Sequence, residues 1–163
     1  MLTVSPMTMR ALPLILASLT LAGCQYDPHA SLYTTTEPKP QDIAGTYVLD
    51  TFHLPSEVGT ARPQVVVELR ADGTFAATNV PPWELREPGT NFFTSLVGGT
   101  GKWEKGSTGT LDPGQKTIWG VYLRTPDNRF HPANLTGGKP PYGLIFTLGD
   151  PDSGNAVILK RKP

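Results

Sequence analysis

Short runs of alternating apolar residues, each followed by a turn rich in Gly, Pro or Asp, recur along the chain from about residue 45. Residues 64–70 show the pattern clearly, because Val65, Val67 and Leu69 would share one face of a strand. Asp72-Gly73 follows them and is a typical hairpin turn. No later segment shows sustained helical spacing, so the chain is predicted to be all-β. The candidate strands are residues 45–52, 64–70, 74–78, 101–105, 117–124, 142–148 and 155–160.

Short strands joined by many turns could form a meander, in which consecutive strands pair antiparallel. Seven such strands cannot close a barrel without one parallel pair, so a closed barrel needs an eighth strand. Two sources are expected for it: Phe92 to Val97, or the segment before the first strand.

The N-terminal residues have the pattern of an export signal. Arg10 precedes an uncharged apolar run over residues 11–23, which is shorter than the ~20 residues that a transmembrane helix needs. Leu21-Ala22-Gly23-Cys24 resembles the lipobox of bacterial lipoproteins, a family in which Cys24 would be acylated and residues 1–23 removed. Cys24 is the one cysteine of the chain, so no internal disulfide can form. The alternative is an ordinary secretory signal with an incidental cysteine.

Residues 24–41 are polar and contain three prolines, which is typical of a flexible tether. Such a segment could lift a barrel domain at residues 42–163 as far as ~50 Å from a bilayer. In the lipoproteins that the lipobox resembles, an Asp at the position of Gln25 favours retention in the inner membrane. The expected location is therefore the cell envelope, at the outer membrane if the host has one.

Three motifs carry a second resemblance. Gly45-Thr46-Tyr47, Asp72-Gly73-Thr74-Phe75 and Gly101-Lys102-Trp103 are similar to the strand starts of small exported lipocalin-like barrels. The turn at residues 149–154 is similar to that of small bacterial lipoproteins of this type. The resemblance implies an up-and-down barrel, in some cases with a ligand cavity, and no shared enzymatic activity.

Composition and motif spacing argue against several functions. Lys and Arg number 14, as do Asp and Glu, so there is no electrostatic case for nucleic acid as a partner. His29, His53 and His131 are far apart and lack metal-ligand spacing, and Asp150 and Asp152 fit an ordinary turn. No nucleophile elbow or phosphate-binding loop occurs. The chain is expected to be neither an enzyme nor a cofactor-binding protein.

Loop lengths suggest where binding residues would lie. The long connections His53 to Pro63, Asn79 to Thr100 and Thr125 to Pro141 alternate with short turns, so a seven-strand meander would gather all three at one mouth. These connections contain aromatic and Arg side chains, two types that are enriched at the hot spots of binding interfaces. Alternatively, the aromatic residues fold inward as a lid over the core. The candidate ligand or partner contacts are Trp83, Arg86, Phe92, Phe93, Arg129 and Phe130.

Two functions remain open at this point. The leading hypothesis is a non-catalytic binding or accessory module of the envelope, whose ligand could be a small apolar molecule held in the barrel. The alternative is a structural or protein-interaction lipoprotein with a filled interior. The volume of any central cavity would distinguish them.

The lipid anchor can be tested directly. Expressed in a bacterial host, the chain should incorporate labelled palmitate and partition into detergent, since an acylated cysteine adds ~0.8 kcal/mol of membrane affinity for each buried CH₂. Cys24→Ser should abolish both effects. Palmitate incorporation by the Cys24→Ser variant would contradict the assignment.

Overall fold

The computed structural model describes residues 27–54, 63–81, 96–111 and 114–163, and in it eight strands form a closed antiparallel barrel. Each strand pairs with its neighbours in sequence, and the last strand returns to pair with the first. The all-β, up-and-down prediction is therefore confirmed. The strands are β1 Gly45–His53, β2 Val66–Leu69, β3 Thr74–Val80, β4 Val97–Leu111, β5 Lys116–Arg124, β6 Ala133–Thr136, β7 Gly143–Thr147 and β8 Ala156–Arg161.

The strand that completes the barrel is β6, so the two sources expected for an eighth strand were wrong. Ala133–Thr136 lies in the middle of the predicted loop over residues 125–141 and pairs with both β5 and β7. Only four residues long, with Pro132 before it and Gly137 after it, it is too short for its alternation to be recognised. Tertiary pairing nevertheless buries Ala133 and Leu135 completely.

Strand β4 is also longer than predicted, at 15 residues from Val97 to Leu111. Glycine and polar residues dominate it, so its sequence lacks an apolar alternation. Its pairing with β5 runs from Lys102↔Arg124 to Leu111↔Lys116. A long hairpin with a largely exposed outer face results.

The barrel interior is packed with apolar side chains. A cluster of 20 buried residues occupies it, including Tyr47, Phe75, Trp103 and Phe130. The rings of Phe75 and Phe130 meet edge to face, with their centroids 5.4 Å apart. An eight-strand barrel has an interior just wide enough for its own side chains, and here they fill it.

One end of the barrel is closed by a short helix, α1 Pro40–Ile43. Ile43 is fully buried in the interior cluster, and its carbonyl oxygen accepts a hydrogen bond from the Tyr47 hydroxyl (2.5 Å). Pro40 occupies the first turn of α1, where a missing N–H costs nothing. The turn into β1 is thus fixed by the core itself.

Residues 27–43, which we call the strap, pack against the barrel. The sequence predicted a flexible tether over residues 24–41, and the structure differs from it: Tyr33 and Thr34 are buried. The Thr34 N–H donates to the Leu135 carbonyl (2.9 Å), and the Trp119 N–H donates to the Thr34 carbonyl (3.0 Å). Strands β5 and β6 pair only at Gly120↔Asn134 and Val121↔Ala133, so the strap occupies the gap where they diverge.

The close approach of β4 to β5 gives a test of the packing. A Cβ at Gly101 would fall on the Arg124 carbonyl oxygen and lie 2.8 Å from the Phe75 ring. We expect Gly101→Ala to lower the free energy of unfolding by ~1–3 kcal/mol, as overpacking does, in urea denaturation. Gly138→Ala is the matched control, because its Cβ would meet nothing within 4 Å. Equal stability of the two variants would contradict this packing.

Candidate functional site

The connections between strands separate into two ends of the barrel. Because the barrel is an antiparallel meander, the β1–β2, β3–β4, β5–β6 and β7–β8 connections share one end, which we call the loop end. The opposite end carries α1, the other three connections and the C-terminal residues.

The added strand β6 changes the expected sorting of loops. Residues 125–132 lie at the loop end with the β3–β4 connection, as expected, but residues 137–142 lie at the opposite end. The turn at Asp150 to Gly154 is expected at the end with the short turns and lies instead at the loop end. Because successive connections lie at alternate ends of the barrel, one additional strand moves every later connection to the other end.

Of the predicted contacts, only Arg129 and Phe130 fall on described residues. Trp83, Arg86, Phe92 and Phe93, and the acylation candidate Cys24, lie outside the described residues. Phe130 is buried in the interior cluster against Phe75, which matches the alternative of an aromatic folded inward. It therefore packs in the core and is not an exposed contact.

Arg129 is exposed at the loop end but is engaged locally. Its guanidinium pairs with the Asp127 carboxylate, and its Nη1 donates to the Gly98 carbonyl (3.4 Å). Hydrogen bonds from Arg129 and then from the Thr125 hydroxyl hold the pKa of Asp127 well below its usual range. This network organises the β5–β6 connection, and exposed pairs of this kind contribute little to stability.

A cavity of about 450 Å³ lies beside this network and is bordered by Gly99, Thr100, Thr125, Pro126, Asp127 and Arg129. It is wide open to solvent, and its one cation is already paired with Asp127. In the described part of the chain, no three His, Cys, Asp or Glu residues are grouped to hold a metal ion.

A second cavity, of about 340 Å³, lies between the strap and the outer face of the barrel. Tyr33 and Asp27 border it from the strap, and Ile118, Pro132 and Thr147 border it from the barrel. The Tyr33 hydroxyl donates to Asp27 Oδ2 (2.5 Å). Burial, and secondly this carboxylate, raise the pKa of Tyr33 to about 12.

The first residues of the strap lie against the loop end. His29 is buried, its Nε2 is 2.9 Å from the Gly154 carbonyl oxygen, and its ring centroid is 5.1 Å from that of His53. A carbonyl can only accept, so this contact assigns the proton to Nε2. Sequence reasoning placed His29 in a free tether and missed this contact. Leu32-Tyr33, a pair of large apolar residues in a mostly polar segment, was the available signal.

No protein-family model, curated protein or solved structure matches this chain. None of the helices among the described residues is both long enough and apolar enough to cross a membrane.

The strap contact predicts a characteristic alkaline response. A tyrosine with a raised folded-state pKa keeps its proton above pH 10 while the unfolded chain loses it, so stability falls as pH rises from about 10 to about 12. Tyr33→Phe should lower the free energy of unfolding at pH 7 by ~1–3 kcal/mol through the lost hydrogen bond to a carboxylate. The variant should also lose less of its free energy of unfolding between pH 10 and pH 12 than the unmodified protein does.

Denaturant unfolding across this pH range, with absorbance of the tyrosinate form, measures both effects. Asp27→Asn is the matched variant, because it keeps the phenol and removes the charge that disfavours its ionisation. It should lower the pKa of Tyr33 only part of the way, since burial is the larger cause. An unchanged alkaline decline in Tyr33→Phe would contradict the strap geometry.

Proposed function

We propose that this chain is a lipid-anchored protein of the bacterial cell envelope whose barrel is a non-catalytic accessory module acting through a protein contact. Residues 1–23 direct export, and Cys24 takes the lipid. The lipobox-like Leu21-Ala22-Gly23-Cys24 and the absence of any other cysteine in the sequence support the anchor. The envelope provides the partner, which meets the outside of the barrel.

The filled interior is the observation that favours a protein contact over a carrier. The 20 buried residues of the interior cluster come from all eight strands, from four of the connections between strands and from α1. A ligand inside the barrel would have to displace large side chains such as Phe75 and Phe130, which are already in contact. Close-packed interiors resist such expansion. The module therefore recognises its partner with its surface.

A small apolar ligand is the second candidate, and one observation favours it. The cavity beneath the strap has a volume within the range of small-molecule sites and combines apolar borders with the Tyr33 and Asp27 oxygens. Such a ligand would lie outside the barrel wall, between Tyr33 and Ile118.

Binding of a small aromatic probe tests the filled interior. We expect no saturable binding of benzene or indole to the protein, measured by calorimetry. Phe130→Ala should create binding, because a cavity lined by apolar side chains stays dry and admits such probes. This variant is the positive control, with an expected loss of ~3–5 kcal/mol in the free energy of unfolding.

Ile118→Trp separates the two sites, because it fills the strap cavity without touching the interior cluster. Saturable binding by the unmodified protein that persists in Ile118→Trp would overturn the filled-interior proposal. Binding that disappears in Ile118→Trp would instead establish the second candidate.

A further inference from the structure

The strap leaves the barrel at the loop end. Pro28 lies against Gly154, where a Cβ would approach the proline Cγ to 3.0 Å, and His29 contacts the Gly154 carbonyl and the His53 ring. Gly154 belongs to the β7–β8 connection, and His53 is the last residue of β1. Asp27 borders a cavity together with Pro151 of the same connection. The chain that precedes Asp27 therefore starts from this end.

Very little chain separates this point from the acylation site. Three peptide steps join Cys24 to Asp27, and an extended chain covers at most ~3.3–3.6 Å per residue. Cys24 therefore cannot be further than ~11 Å from Asp27. A lipid on Cys24 would consequently hold the loop end close to the bilayer.

Contacts between the strap and the barrel keep Cys24 close to the loop end. Tyr33 packs with Ile118 and Ile145 in a cluster outside the barrel wall, and Thr34 is hydrogen-bonded between β5 and β6. Further along, Glu37 pairs with Lys105 (2.5 Å). If the strap were released as far as β1, about 20 residues would span up to ~70 Å. The two arrangements differ greatly in how far the barrel stands from the membrane.

We propose that the loop end of the barrel faces the lipid bilayer at close range, while the opposite end, with α1 and the C-terminal residues, points away from it. This orientation rests on the proposed acylation of Cys24. The occupant of the loop end is the bilayer surface, and the surface left for a partner protein is at the opposite end and on the sides of the barrel.

The charged residues that the structure describes do not account for this orientation. The exposed charged residues described at the loop end include Asp127, Asp150, Asp152 and Arg129, and the arginine is paired with Asp127. Anionic lipid would not attract these four described residues. The opposite end exposes the cations Lys39, Lys116, Lys139 and Lys162. An orientation set by the anchor should therefore withstand high salt, whereas attraction of the lysines to anionic lipid would not.

Two single-cysteine variants measure the orientation. Asp152→Cys places a thiol at the loop end, and Lys139→Cys places one at the opposite end; both side chains are exposed. In the acylated full chain the Cys24 sulfur is blocked, so a maleimide fluorophore reacts only with the new thiol. The labelled protein is reconstituted into vesicles of phosphatidylcholine and the anionic lipid phosphatidylglycerol that contain an acceptor on the lipid headgroup, and energy transfer is measured at low and high salt.

We expect stronger transfer from the Asp152 position, with the Lys139 position about 15–25 Å further from the headgroups, which is roughly one strand length. The difference should be the same at both salt concentrations. Equal transfer from the two positions, or stronger transfer from Lys139, would overturn the orientation.

Palmitate incorporation, assayed on the same samples, distinguishes failure of the lipid anchor from failure of the orientation alone. Its absence overturns the lipid anchor and the orientation with it, whereas acylation with equal transfer overturns the orientation alone.

A linker variant tests whether chain length is the cause. A Gly/Ser insertion of about 20 residues between Tyr26 and Asp27 leaves the strap intact and adds ~25 Å of average reach. It should remove the difference between the two label positions. Unchanged transfer in this variant would overturn the proposal, because the bilayer would then hold the barrel through some other contact.

Discussion

The hydrogen bonds that Thr34 makes to Leu135 and Trp119 are the interaction on which much of the structure depends. Strands β5 and β6 share only two paired positions, and an unfilled gap would leave backbone groups of both strands buried without partners. The strap supplies those partners. Its course also places Ile43 in the interior cluster at one end of the barrel and Asp27 at the loop end.

The position of the strap explains a second apolar cluster outside the main core. Ile145 alternates with Leu144 and Phe146, so it lies on the outer face of β7, yet it is fully buried. Tyr33 and Ile118 cover it. A sheet with apolar residues on both faces needs cover on both sides, and here the strap and the long β4–β5 hairpin provide the outer cover.

This arrangement supports the proposed function. The interior is filled by packing, as the inward position of Phe130 illustrates, which leaves the outer surface for the proposed protein contact. If Cys24 is acylated as proposed, the strap makes the attachment short and thereby limits how a partner could approach the barrel. A surface network such as Asp127–Arg129 then shapes a loop and leaves no unpaired charge on Arg129.

The sequence by itself determined the fold class and most strand positions, because alternation and turn residues are local properties. Residues 64–70 with Asp72-Gly73 are enough to predict β2, β3 and the turn between them. The lipobox-like motif likewise is read locally, as a prediction about the anchor. Only the tertiary structure decided the identity of the closing strand and the course of the strap. Ala133–Thr136 is too short to show a period, and it becomes a strand because β5 and β7 offer it unpaired edges. Residues 27–41 are polar in composition, and they are ordered because two diverging strands need backbone partners that no local pattern announces.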